Sequence, residues 1–196
     1  MTFSAAERGD PEEMRRRIFL ALFTALAIAL HSVEYLLPSP IPWFRFGFAN
    51  ILTVCALCLF GGRAAWWVTL GRILVGSFFL GRFFSPGFFL ALAGGIAATA
   101  LMTALRQVCG TRVGPIGLSV VGAAGHAIGQ LTIAWLLLVR HEGMWLLLPF
   151  LLLSALVTGL INGTAADLLI ASLRRHSTFA PAGQAEKDSS SSRENA

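Results

Sequence analysis

Six apolar runs separated by short polar connectors organise the chain: residues 18–37, 46–60, 64–80, 88–105, 116–139 and 145–173. The longer runs reach about 20 residues, the length at which an α-helix crosses roughly 30 Å of hydrocarbon. The second and third are the shortest, and Gly61-Gly62 between them predicts a tight turn. The pattern predicts an all-α integral membrane protein, a bundle of six transmembrane helices. Three segments follow from it: a polar tail at 1–17, the membrane domain at 18–173, and a Ser-rich polar tail at 174–196 that is expected to be disordered. The first apolar run lacks a small-residue cleavage site and is followed by several more, so it reads as a membrane helix rather than a removable leader.

Composition agrees with this pattern. Of 196 residues, 56% are hydrophobic and 13% charged, against about 25% charged in soluble domains, and mean hydropathy is +0.72. Basic residues set the orientation, because cytosolic loops collect Lys and Arg. With the N-terminus inside, Arg8, Arg15, Arg16, Arg17, Arg63, Arg106, Arg112, Arg174, Arg175, Lys187 and Arg193 are cytosolic, whereas Arg45, Arg82 and Arg140 fall outside. Both termini are therefore expected in the cytosol, with the protein a multi-pass component of the cell membrane. The formal charge of +5 is spread over helix ends rather than gathered on one face, so no nucleic-acid partner is expected.

Ionisable groups at membrane depth cost several kcal/mol unless paired or hydrated, which makes each a functional candidate. Here they are His31, Glu34, Arg72, His126 and Asp167, joined by the amides Asn50, Gln130 and Asn162. His31 and Glu34 are three apart and His126 and Gln130 four apart, so each pair shares a helix face. Such pairs on two helices suit a ligand pocket. The alternative is an internal polar network, with Glu34 or Asp167 neutralising Arg72. Asn162 and Asp167, nearer the far end of the last helix, read as packing or partner contacts. Cys55 and Cys58 form a CxxC inside an apolar helix, without other soft ligands nearby in sequence, and read as small packing residues.

The connector at 32–50, SVEYLLPSPIPWFRFGFAN, carries more chemistry than a link between helices needs. It holds Glu34, Pro38, Pro40, Pro42, Trp43 and Arg45, and runs into the next helix at Asn50. On the orientation above it faces outward, and it reads as a lid over a pocket. Phenylalanines crowd the same side, at Phe44, Phe46, Phe48, Phe78, Phe79, Phe83, Phe84, Phe88 and Phe89; their density suits an apolar or ring-bearing ligand. Ala21, Ala25 and Ala29, at spacing four, give helix 1 a smooth stripe against which another helix can dock. No P-loop, HExxH or GxSxG is present, and the three aspartates (Asp10, Asp167, Asp188) are far apart. Catalysis by this chain alone, and any cofactor or metal, are not expected.

Ordered along the chain, Glu34, Pro38-x-Pro40, Phe46-Gly47-Phe48-Ala49-Asn50, Phe60-Gly61-Gly62-Arg63, Arg72-Ile73-Leu74-Val75-Gly76-Ser77, Leu92-Ala93-Gly94-Gly95 and Gly122-Ala123-Ala124-Gly125-His126-Ala127-Ile128-Gly129-Gln130 carry a resemblance. The chain resembles the Gx transporter family, also labelled heptaprenyl diphosphate synthase component I. It is similar, more broadly, to the substrate-binding S-components of energy-coupling-factor transporters. That family tends to carry an Asn directly after the helix-5 His, where this chain has Ala127. The resemblance implies six helices with both ends inside and an outward first loop closing over a small organic substrate. It implies Ala21, Ala25 and Ala29 as contacts to a transmembrane coupling subunit, itself driven by ATPase subunits. It also implies that the lid, with Glu34, Asn50, Arg72, His126 and Gln130, lines the site. The alternative is a non-catalytic accessory subunit of isoprenoid or quinone metabolism that binds a prenyl diphosphate, with Arg45 and Arg72 on the phosphates.

Overall fold

The computed structural model describes residues 11–36 and 47–175. These form six α-helices: α1 (Pro11–Leu36), α2 (Phe48–Phe60), α3 (Gly62–Phe79), α4 (Pro86–Cys109), α5 (Pro115–Leu137) and α6 (Leu148–Arg175). Short 3-10 segments at Gly110–Arg112 and Glu142–Leu147 precede α5 and α6. Four stretches are long and apolar enough to cross a membrane: Glu13–Glu34, Pro86–Arg112, Pro115–Leu137 and Glu142–Arg175. The chain is thus an all-α, multi-pass membrane protein. The other two helices differ in kind. At 13 residues, α2 is about 20 Å long, short of the roughly 30 Å a full crossing needs, and α3 carries Arg63 and Arg72.

Helix ends depart from the apolar pattern for local reasons. α1 begins seven residues before the apolar run at 18, because its polar first turns hold together through an exposed Glu13–Arg17 pair at 2.7 Å, four apart on one face. α2 begins at Phe48 rather than at 46, since Gly47 has φ +74° and ends any helical path into it. Gly61, at φ +90°, is the single residue between α2 and α3 and makes the tight turn; its positive φ favours glycine. Ser85 caps α4 by accepting from the Phe88 N–H at 3.3 Å, with Pro86 at the first helical position.

Small residues bring helices α4, α5 and α6 to backbone contact. A Cβ added at Gly129 would lie 2.7 Å from the Ala93 carbonyl oxygen, and one at Gly163 would lie 2.6 Å from Ile116 Cα. A chain of buried hydroxyls ties three helices together: Thr53 to Thr69 at 3.3 Å and Thr69 to Thr99 at 2.9 Å. The ends of α1, α2, α4 and α6 that carry Arg16, Phe60, Arg106 and Arg174 lie on one side of the bundle. There Arg16 donates to the Phe60 carbonyl at 2.9 Å, one that the end of α2 leaves open, and Arg106 donates to the Val113 carbonyl in the connection to α5 at 3.3 Å.

The main apolar core occupies this basic half, where Phe23, Val54, Val68, Met102, Leu118 and Ile170 meet. Two smaller clusters, around Ile73 and Phe88 and around Leu131 and Met144, fill the opposite half. Between the large core and the small ones the packing is interrupted, and the interruption is polar.

Candidate functional site

A cavity of about 90 Å³ lies at that interruption, room for about three water molecules at the ~30 Å³ each takes in the liquid. Every helix contributes to its wall. His31 and Glu34 come from α1, Gly47 and Asn50 from the start of α2, Arg72 and Ile73 from α3, and Ala91 from α4. From α5 come Ala123, His126, Ala127 and Gln130, and from α6 Leu151, Ser154, Ala155, Thr158 and Asn162. Six of the predicted site residues are therefore together: His31, Glu34, Asn50, Arg72, His126 and Gln130. Trp43 and Arg45, with Pro38, Pro40 and Pro42, lie outside the described residues.

The two histidines sit against glycines. A Cβ at Gly76 would come 3.1 Å from His31 Cδ2, and one at Gly94 would come 2.7 Å from His126 Cε1 and Nδ1 and 2.9 Å from Gln130 Cγ. The glycines of α3 and α4 thus leave room for imidazole rings as well as for neighbouring helices. His31 is 7% exposed and Arg72 6%, so both are held inside the bundle. An arginine does not deprotonate in a protein, and its charge stays in the wall. Glu34 reaches across from α1: its Oε1 accepts the Phe48 N–H at 2.6 Å, placing a carboxylate at the positive N-terminal end of α2.

The structure also corrects the sequence reading. Asn162, expected in a packing or partner role, is buried in the cavity wall and lies close to Gly47. The reason is the late start of α2, which brings Gly47 and Asn50 to the level of Asn162. Asp167 is exposed and apart from the wall, so it does not face Arg72 there. The aromatic expectation fails for the described residues. None of Phe48, Phe78, Phe79, Phe83, Phe84, Phe88 and Phe89 lines the cavity. Instead Phe83, Phe84, Phe88 and Phe89 pack on one another beside the α3–α4 connection, with centroids 4.8–6.1 Å apart.

Two further groups lie away from the cavity. Ala21, Ala25 and Ala29 are exposed along α1, beside the exposed Leu22 and Leu26. Cys55 is fully buried with Sγ 3.7 Å from the Ala166 carbonyl, a packing contact between α2 and α6. Sequence reasoning missed the α6 wall, although Ser154, Thr158 and Asn162 recur at spacing four; small hydroxyls in a membrane helix read equally well as packing.

Comparison with known proteins identifies a family. The family model described as heptaprenyl diphosphate synthase component I matches residues 23–169, a range that holds all six helices in whole or part and every residue of the cavity wall. No curated protein and no solved structure matches the chain.

Proposed function

The chain belongs to the heptaprenyl diphosphate synthase component I family, and from that premise we propose that it is the substrate-capture subunit of a membrane importer. It takes a small organic molecule into the bundle, and separate coupling and ATPase subunits supply the energy. The observation that carries this reading is the convergence of His31, Glu34, Asn50, Arg72, His126 and Gln130 from α1, α2, α3 and α5 on one cavity. Polar groups at membrane depth are costly unless something polar meets them, and a water-soluble ligand does so. The exposed Ala21, Ala25 and Ala29 offer a coupling subunit a smooth face on α1. The distribution of Arg and Lys supports both termini inside the cell membrane and the Pro-rich connector outside it.

The family's description favours a second reading, a non-catalytic membrane subunit of isoprenoid or quinone metabolism that binds a prenyl diphosphate. Arg72 and Arg45 are then the phosphate partners. The described wall offers such a chain no Phe, Tyr or Trp side chain.

Native mass spectrometry of the gently purified protein separates the two. A small water-soluble molecule is expected to leave the wild type on activation and to be missing from Arg72→Ala, whose thermal melting shows it still folded. A prenyl lipid in its place moves the conclusion to the second reading. A bound molecule retained at unchanged occupancy in Arg72→Ala assigns the arginine a purely structural role.

A further inference from the structure

The wall contributed by α6 has no counterpart in the residues that the sequence singled out for binding. Ser154, Thr158 and Asn162 follow one another at spacing four along its cavity face and share that cavity with Arg72 of α3 and His126 of α5. Their hydrogen-bonding states differ in a way that constrains a ligand. Thr158 donates its hydroxyl hydrogen to the Ser154 carbonyl at 2.9 Å. Its oxygen is left as an acceptor, so it reads a donor on the ligand. Asn162, 4% exposed, adds an amide with both donor and acceptor atoms.

Charge constrains the other end of the ligand. Arg72 brings five N–H donors, no acceptor and a permanent charge. Glu34 is the single carboxylate among the described wall residues, and one of its oxygens already accepts the Phe48 N–H at 2.6 Å. Asn50 and Gln130 supply further amides, each with donor and acceptor atoms. The wall thus surrounds a fixed positive charge with amides and one carboxylate, and α6 adds the Thr158 hydroxyl oxygen as an acceptor.

Building on the capture reading above, we propose that α6 is the specificity wall of this site, and that the ligand is a small organic acid. Its carboxylate lies against Arg72, and a hydroxyl or N–H donor on its body is recognised by Thr158 and Asn162. A carboxylate accepts two N–H donors from one guanidinium in parallel, and a chamber of about 90 Å³ suits an acid of a few carbons.

Three probes of similar size test this on the purified full-length protein: lactate (acid and hydroxyl), propionate (acid alone) and lactamide (hydroxyl alone). Affinity is read by calorimetry, and folding by the melting temperature without probe. Lactate is expected to bind about tenfold more tightly than propionate, the factor of one good hydrogen bond, and lactamide weakest of all. Thr158→Val, close in shape, is expected to remove the preference for lactate over propionate, and Thr158→Ser to restore it. Persistence of the preference in a folded Thr158→Val overturns the role of α6. Lactamide binding as well as lactate overturns the carboxylate assignment while leaving capture of a polar solute in place. Farnesyl diphosphate binding where no small probe does overturns the capture reading itself, and binding by none of the four overturns the organic-acid proposal.

Discussion

Two imidazole rings rest on the surfaces of glycines, and this sets how finely the cavity is tuned. In Gly94→Ala the new methyl meets the His126 ring at 2.7 Å and the Gln130 side chain at 2.9 Å. Ring and amide stem must both shift, and overpacking of this kind costs about 1–3 kcal/mol. We expect Gly94→Ala to lower the melting temperature and to weaken ligand binding. In Gly122→Ala the methyl meets the Met102 thioether, its sulfur at 2.6 Å, and a flexible methionine gives way more readily. Comparing the two variants by melting and by ligand occupancy checks the assignment; equal occupancy in both would remove Gly94 from the site. The His31/Glu34 and His126/Gln130 pairs were legible because spacing alone fixes a shared face. The seats for the rings were not, since a glycine in a membrane helix looks the same whether it admits a backbone or an imidazole.

Among the elements, α1 and α2 contribute in opposite ways. α2 is short and largely buried from Ala49 to Leu57, and its late start carries Gly47 and Asn50 down beside Asn162. Apolar periodicity could not show this, because a run reads on through Phe46 and Gly47 whatever their backbone angles. Only the positive φ of Gly47 sets where the helix begins. α1 keeps a broad exposed apolar surface, with Ile18, Leu22, Leu26 and Val33 all more than half exposed. Ala21, Ala25 and Ala29 run alongside as its smooth strip. Ala25→Trp places an indole on that strip without entering the core. Under the importer reading, co-purification of the coupling and ATPase subunits is expected to be lost, with melting temperature and ligand occupancy unchanged. A demonstrated complex that survives Ala25→Trp would show that the docking face lies elsewhere.

For the whole molecule, the six-helix plan was readable from hydropathy, whereas the depth of its polar chamber depended on how six helices of unequal length pack. The sequence reading took all six runs as membrane spans, the second and third the shortest. The structure has four helices with the length and apolarity of a span, together with a shorter α2 and an α3 bearing two arginines. Those last two are joined through Gly61 alone, which bears on how the chain enters a bilayer during synthesis. An arginine near the middle of an inserting helix costs about 3 kcal/mol, so α3 by itself is a poor candidate for the translocation machinery to release into lipid. With one connecting residue, α2 and α3 are able to leave as a hairpin, and the Thr53–Thr69 hydroxyl contact lies within that pair. In a glycosylation-mapping insertion assay, α3 alone is expected to insert poorly, and the α2–α3 hairpin and the Arg72→Leu form of α3 to insert well. Efficient insertion of native α3 on its own would show that the pairing is unnecessary. If the hairpin is the inserting unit, the buried arginine of the binding chamber becomes a matter of timing, since its helix enters the membrane only in company.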